Sequence, residues 1–520
     1  MNNRTEQEPI MNSRTEQAPI VSSRAEQAPI MSSRAKELIY RYFINQFIGK
    51  PGSFVGVEIE MPVVNLEKRP VAPEFLRAMA ELLERGFGFR PDLCTSSGFP
   101  IKAANDRGDV FSFETSFNTI EFSMARRTSV TEAAKDFHRY LTALKRLEKV
   151  YGHVICGMGT NPYAEYADGK PLDTPLMTAK SQFLKTFTTH RDGEIFHGFS
   201  ASTQTHLDTS LADLPDKLNL LSKLAFADAI LFANSLPFPH EREGWAAGLP
   251  AGLRDELENP FLCFRDVLWD LCEAPNTRAY DREYGSVEDI ADHMASDLAV
   301  FIIGDGKGGY RPIRPVKLAE YFADQNRPEE DILCFRSLEP AAVTRHGTIE
   351  IRQTCTQPLS RVFAPVAFYT GIMENYQKAA ALADAFLCEN RIRLSGPALR
   401  GKAVRQAAVA PPEILAGFIQ ELLGLSLEGL KQRNFGEEQY LKGLYKAEGF
   451  TGGLAECPAK KQLRLLEEGA GYEEIIALYG EADEGADRAA ERQKETGGTM
   501  GHVIAMDRKR TGGKANGLSL

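Results

Sequence analysis

Phe54-Val55-Gly56-Val57-Glu58-Ile59-Glu60 is the stretch on which the reading of this chain turns. Val55, Val57 and Ile59 alternate with Phe54, Gly56, Glu58 and Glu60. A period of two is the signature of a strand, and it puts both carboxylates on one face. Two such acids stand roughly 7 Å apart along a strand and repel unless a cation lies between or above them. Alone, the pattern also describes a half-exposed edge strand with a solvated acidic face. It recurs, however: Glu114, Glu121 and Glu350 are also acids inside strand-like apolar runs. The recurrence points to carboxylates that hold hard divalent cations, with oxygen donors suited to magnesium.

The remaining composition narrows the classes of function. With 520 residues the chain is long enough for two or three ordinary domains or one large single-sheet enzyme. Hydrophobic residues at 43% and charged residues at 25% are the proportions of a soluble globular protein. A net charge of −10 disfavours broad binding to nucleic acid or anionic membranes, so an anionic substrate needs local cations. No run of about 18 uncharged apolar residues occurs, so no membrane span is expected. The start of the chain has no apolar signal segment around Arg4, Glu6 and Glu8. The 8 cysteines never form CxxC, which argues against zinc knuckles and fits reduced thiols in a cytoplasmic enzyme.

Working outward, residues 1–35 repeat a decapeptide (MNNRTEQEPI, MNSRTEQAPI, VSSRAEQAPI) too polar to bury a core, and are expected to be a disordered tail. An amphipathic helix follows near Ala35, and residues 73–86 have helix spacing between a proline and a glycine. Residues 110–114 and 119–123 read as a tight hairpin that brings Glu114 and Glu121 together. A long helix over 130–150, a buried strand over 153–156 and a helix tail over 182–189 come next. On the strand 200–208, Ser202, Gln204, His206 and Asp208 share a face. A helix over 214–233 closes at Asn234-Ser235-Leu236-Pro237-Phe238, and residues 239–295 read as loop-rich. The glycine-rich run after the strand 298–303 is expected to be a hairpin turn, because Tyr310 to Pro315 cannot start the helix that a phosphate loop needs. Residues 348–352 form a strand with Glu350 and Arg352 on one face, and a long buried helix covers 358–386. Helical hairpins fill 389–480, and 481–520 is expected to be a mobile tail. Polar-faced strands joined by helical excursions predict an α+β fold: an antiparallel sheet covered by helices on one side, with the active site on the other.

The polar faces collect Glu58, Glu60, Glu114, Glu121, Gln204, His206, Glu350 and Arg352. Zinc sites want more histidine or cysteine, and a glycosidase needs only two carboxylates. Several glutamates with one arginine suit magnesium ions held over a polyphosphate.

These residues carry a resemblance. Gly56-Val57-Glu58-Ile59-Glu60, Phe113-Glu114 through Ile120-Glu121-Phe122-Ser123, Ser202 to Asp208, Ala233 to Phe238, and Thr348-Ile349-Glu350-Ile351-Arg352 stand in the order of the glutamate–cysteine ligases. The chain resembles the plant and proteobacterial type within the glutamine synthetase superfamily of carboxylate–amine ligases. The resemblance implies a curved antiparallel sheet shaped as a half-funnel, and a catalytic domain over 36–480. It implies an ATP-dependent ligase that joins L-glutamate to L-cysteine through γ-glutamyl phosphate, the first step of glutathione biosynthesis. It implies two or three Mg2+ ions bound by Glu58, Glu60, Glu114, Glu121 and Glu350. Gln204, His206 and Asn234 would line the substrate or ATP site, and Arg352 would contact the phosphoryl group. Three positions depart from the pattern: the Glu114–Glu121 loop is longer by about one residue, His206 replaces asparagine, and Cys355 replaces aspartate. The last leaves another amine open as acceptor. A nucleotide- or amino-acid-binding regulator without catalysis is the reading from a different class.

Overall fold

The strand that opens at Val55 runs on to Asn65 (β1) and lies at the centre of the main sheet. The computed structural model describes residues 33–49, 53–187, 198–236 and 261–482, apart from Leu271, Glu273, Gly308 and Glu448. The repeat tail up to residue 32, the end of the 182–189 segment, Trp245 and nearly all of 481–520 lie outside the described residues.

Along the chain β1 is followed by β2 (Arg90–Cys94), β3 (Pro100–Ala104), β4 (Val110–Phe113), β5 (Thr119–Arg127), β6 (His153–Ile155) and β7 (Thr203–Asp208). The hairpin β8 (Ala299–Gly304) and β9 (Tyr310–Lys317) forms a separate two-stranded sheet. Then β10 (Ala341–Val343) and β11 (Thr348–Ile351) return to the main sheet. The order there is β10-β11-β7-β1-β5-β4-β3-β2, with β6 paired to the far end of β1 and all pairings antiparallel. Pro62 inside a central strand is tolerated because it stands opposite Thr119 of β5 on one side and falls between partners on the other. Pairing of β1 with β7 ends at Ile59–Thr203, and pairing with β6 starts at Val63–Ile155.

The alternation in β1 puts Val55, Val57 and Ile59 into a core with Phe75, Met79 and Leu83 of the helix Pro73–Phe87 and Phe137 and Leu141 of the helix Val130–Tyr151. The second of these helices is started by Ser129, whose hydroxyl accepts from the Glu132 N–H. Under β7 and β11, Leu207, Ile349 and Ile351 pack on the helices Leu214–Phe232 and Ala364–Glu374. Helices therefore cover the apolar face, as an α+β arrangement requires. No helix among the described residues is long and apolar enough to cross a membrane.

Several elements differ from the expectation. The fully exposed edge strand β2 and its partner β3 were not anticipated, because Arg90, Pro91 and Asp92 carry no strand pattern. Residues 239–295 are not all loop: a helix Phe264–Asp270 and the Ser286-capped helix Val287–Asp297 lie there. The long helix of 358–386 is broken, into Ala364–Glu374 and Tyr376–Glu389, at Asn375, whose side chain donates to the Leu425 carbonyl. A short hairpin, Tyr445–Ala447 with Thr451–Leu454, interrupts the C-terminal helices. The glycine-rich run 304–309 does make a hairpin turn, with Gly304 opposite Tyr310 and Asp305 accepting the Lys307 and Gly309 N–H groups.

Candidate functional site

Register aligns the acids. Glu58 stands opposite Gln204 on one side and Ser123 on the other, and Glu60 opposite Glu121. His206 stands opposite Gly56 and Glu350. Directly opposed residues share a face, so the side of β11, β7, β1 and β5 opposite the apolar core carries every one of these groups. Glu114 follows β4, and its N–H donates to Thr119 across the predicted hairpin.

Two clusters result. Ligand atoms of Glu58, His206 and Glu350 lie within 4.8 Å of one another, as do those of Glu60, Glu114 and Glu121. Gly56 makes the first cluster possible, since a Cβ there would sit 3.0 Å from His206 Cβ. The imidazole instead lies across β1, with Nε2 3.3 Å from Glu58 Oε1 and Nδ1 3.2 Å from Thr348 Oγ1. Burial opposes charge on both partners. At Glu58 the His206 imidazole, Arg352 and His346 outweigh burial and hold the carboxyl below its ordinary value. At His206 the Glu58 carboxylate, then Glu350, raise the imidazole above its own.

The second cluster is more strongly acidic. Glu60 Oε2 accepts from Ser202 N at 2.7 Å and Ser202 Oγ at 2.9 Å, and Oε1 accepts from Gln204 Nε2 at 2.8 Å. Burial and Glu114 nonetheless raise Glu60. Burial, followed by Glu58, Glu114 and Glu60, holds Glu121 well above the carboxylate range, although the Ser123 hydroxyl donates to it. Gln204 Oε1 is buried with no donor. Crowded acids and an orphaned carbonyl oxygen are the donor set of a hard cation, and both clusters fit one.

Arg352 follows β11 and donates to Glu350. Its backbone is clamped: the N–H donates to Pro340 O at 2.8 Å, and Arg265 Nη2 donates to its carbonyl at 3.0 Å. Gln353 O accepts from both Arg265 Nη1 and Arg400 Nη2. Arg400 in turn pairs with the buried Asp228, which also accepts from Thr354 and Tyr369.

The structure thus brings eight of the nine sequence candidates together: Glu58, Glu60, Glu114, Glu121, Gln204, His206, Glu350 and Arg352. Asn234 is the exception. It is fully buried, its Nδ2 donates to Gly157 O and Thr356 O, and its Oδ1 accepts from Gln462, so its amide has no donor left for a ligand. The Asn234-Ser235 turn is instead a brace, with Ser235 Oγ accepting the Arg265 N–H. Cys355 is 1% exposed and touches Ser235 and Cys263, which makes it a packing residue. Two cations at the site went unread. Arg265, within the segment expected to be loop-rich, is more than nine-tenths buried against residues 352–353. Lys180 Nζ lies 3.9 Å from Glu114 and donates to Thr115. Neither sits on a patterned strand, so nothing local marked them; the heptapeptide around Ser202 did carry a signal, since Ser202 shares the face of Gln204.

Residues 54–246 match the family model of glutamate-cysteine ligase family 2 (GCS2). The resemblance drawn from the motifs is therefore borne out, over a stretch that contains Glu58, Glu60, Glu114, Glu121, Gln204 and His206 but not Glu350 or Arg352. No curated protein sequence matches the chain. Among solved structures, a bifunctional glutathione synthetase from Pasteurella multocida is similar at 11% identity and a TM-score of 0.38, over 88% of this chain and 55% of its own. This chain thus spans little more than half of that protein. A glutamate–cysteine ligase from Francisella tularensis in complex with AMP shows 11% identity and a TM-score of 0.41, over 90% of this chain and 96% of that one. A complex between the ubiquitin-like protein Pup and its ligase PafA shows 8% identity and a TM-score of 0.30, over 88% and 71%. Likenesses this weak carry no functional weight.

Proposed function

We propose that the protein is an ATP-dependent carboxylate–amine ligase that activates the side-chain carboxylate of L-glutamate and joins it to an amine. The observation that carries this is the pair of three-ligand clusters flanking β1, with Arg352 beside them. Residues 36–480 would be the catalytic domain, in the cytoplasm, and the polar face of the sheet the active site. Glu58, His206 and Glu350 would hold one Mg2+, and Glu60, Glu114 and Glu121 another. When bound, the cations neutralise the phosphates of ATP and the incoming carboxylate.

The chain's own groups set the rest. Ser202 and Gln204 fix the Glu60 carboxylate by three hydrogen bonds, so its orientation is set before any ligand arrives. Arg352, held by its backbone, offers a guanidinium to the transferring phosphoryl group. A glutamate carboxylate oxygen bonds to the γ-phosphorus as the bond to ADP breaks. The amine nitrogen then attacks the acyl carbon, inorganic phosphate leaves and the nitrogen gives up a proton. Exclusion of water protects the acyl phosphate between the two steps.

In the enzymes that the chain resembles the acceptor is L-cysteine, the entry to glutathione. The second reading keeps the chemistry and changes the amine, and a cavity that borders Arg352, lined by Arg265, Trp269 and Tyr280, favours it. The test is ADP release with Mg2+, ATP, L-glutamate and a panel of amines, each omitted in turn. Positional isotope exchange in ATP with glutamate and no amine isolates the first step. Glutamate-independent ADP release, or exchange that survives in Glu58→Gln and Glu350→Gln, would refute the reading.

A further inference from the structure

Bordering Arg352 lies a cavity of about 500 Å³. It is walled by the helix Leu214–Phe232, the helix Phe264–Asp270, the segment 277–284, residues 338–341, the residues that follow β11 and the helix Gly396–Val404. None of Glu58, Glu60, Glu114, Glu121 and Glu350 lines it, and Arg352 is the residue it shares with the carboxylate face. Glutamate and the phosphates must lie over the metal clusters, so this space is left for the other reactant.

Three features describe that reactant. The volume falls within the roughly 300–1,000 Å³ of pockets that enclose drug-sized ligands, and a cysteine would leave most of it to water. Its wall carries aromatic surface from Trp269 and Tyr280, both half-buried. The cation at its inner end is Arg265, 6% exposed, whose Nη groups go to backbone carbonyls while its Nε–H has no acceptor. A buried guanidinium that meets carbonyl oxygens, with its closest carboxylate contact the 4.0 Å one to Asp266, is short of negative charge. A ligand carboxylate supplies it. On the same wall Asp266 is paired with Arg400 at 2.7 Å, which leaves Asp270, 3.7 Å from Arg405, to give an ammonium group its counter-charge.

We infer that this cavity is the acceptor site, and that the acceptor is an amino acid with a large aromatic side chain and a free carboxylate rather than cysteine. The inference rests on the ligase reading above, since it takes the glutamate side of the site as given. The cavity's border with Arg352 places the acceptor's amine next to the phosphoryl group that it displaces.

The experiment compares L-phenylalanine, L-tyrosine and L-tryptophan with L-cysteine, L-alanine and phenethylamine as acceptors in glutamate- and ATP-dependent ADP release. Aromatic amino acids are expected to show a KM at least tenfold below that of cysteine, and phenethylamine, lacking the carboxylate, at least tenfold above them. Trp269→Ala and Tyr280→Ala are expected to raise the acceptor KM at least fivefold more than the KM of ATP or glutamate. Binding is read separately: Trp269 is one of only two tryptophans, so in Trp245→Phe its emission is expected to change saturably on titration with L-phenylalanine. Cysteine as the best acceptor, or a silent Trp269, would overturn the inference while leaving the ligase reading intact. A rise in the ATP KM larger than in the acceptor KM would assign the cavity to the nucleotide and overturn it equally. Absence of glutamate-dependent isotope exchange in the parent would remove the ligase reading itself, and this inference with it.

Discussion

Replacing Glu121 by glutamine tests the metal assignment through stability and activity at once. A carboxylate oxygen of Glu121 lies within 4.8 Å of those of both Glu60 and Glu114. At that distance one charge pair repels by about 3.5 kcal/mol for an effective dielectric near 20. Protonation and side-chain relaxation recover much of this, and a net penalty of about 2 kcal/mol is a reasonable remainder. Glutamine keeps the shape and the neighbouring Ser123 hydroxyl while removing the charge. Glu121→Gln is therefore expected to raise the Tm of chelator-treated protein by about 2–4 °C, given that ~1 kcal/mol moves the Tm of a domain this large by about 1–2 °C. Added Mg2+ should stabilise the parent and the variant in the opposite order, because the variant has lost a ligand. Turnover should fall at least a hundredfold, the loss of one preorganised charge at the reacting phosphates. The assay is thermal unfolding with and without Mg2+ beside ADP release. A variant that is less stable without metal, yet gains as much from Mg2+ as the parent, would show that Glu121 is a structural acid and refute the reasoning.

Three further outcomes follow from other parts of the fold. Gly56→Ala, which pushes a methyl group against His206 at 3.0 Å, should lower kcat at least tenfold with little change in circular dichroism; full activity would mean that the His206–Glu58 contact is not needed. Asp109 is fully buried, with Arg127 Nη2, Tyr140 OH and the Ala125 N–H all donating to it. Asp109→Ala removes one of the two buried carboxylates of Arg127, which keeps Asp136 at 3.2 Å, and takes the acceptor from the Tyr140 hydroxyl and the Ala125 N–H; it should cost about 2–3 kcal/mol in urea unfolding, and a cost under about 1 kcal/mol would refute the network's role. For His293, burial opposes the charge but Glu339 at 2.8 Å and Asp297 at 3.0 Å outweigh it, so its pKa is raised. The stability it adds, about 1.5–3 kcal/mol, is complete below the unfolded value near 6.5 and is lost as pH rises through the folded one. His293→Gln should flatten that part of the Tm–pH curve, and an unchanged slope would count against the assignment.

The local sequence determined the strands that carry the acids, because alternation is a property of neighbours and needs no partner to be read. Val55 to Glu60, the Glu114–Glu121 hairpin and Gln204 with His206 were legible for that reason. So was the antiparallel, helix-backed class of the fold, since a strand with one apolar face demands a cover on that face only. Register was not legible: that Glu60 faces Glu121 and His206 faces Glu350 depends on pairings between residues 61 and 144 positions apart. The break at Asn375 escaped because the helices on both sides keep an apolar surface, and the interruption is held by a carbonyl from another helix. Asn234 was misplaced because a polar residue in a motif looks the same whether it faces a ligand or braces three distant segments. Only tertiary structure assigned its amide to Gly157, Thr356 and Gln462. Arg265 and the cavity bordering Arg352 were invisible for the converse reason. Their elements come from widely separated parts of the chain, from Leu218 to Val404, and a space enclosed by distant segments leaves no pattern in any one of them.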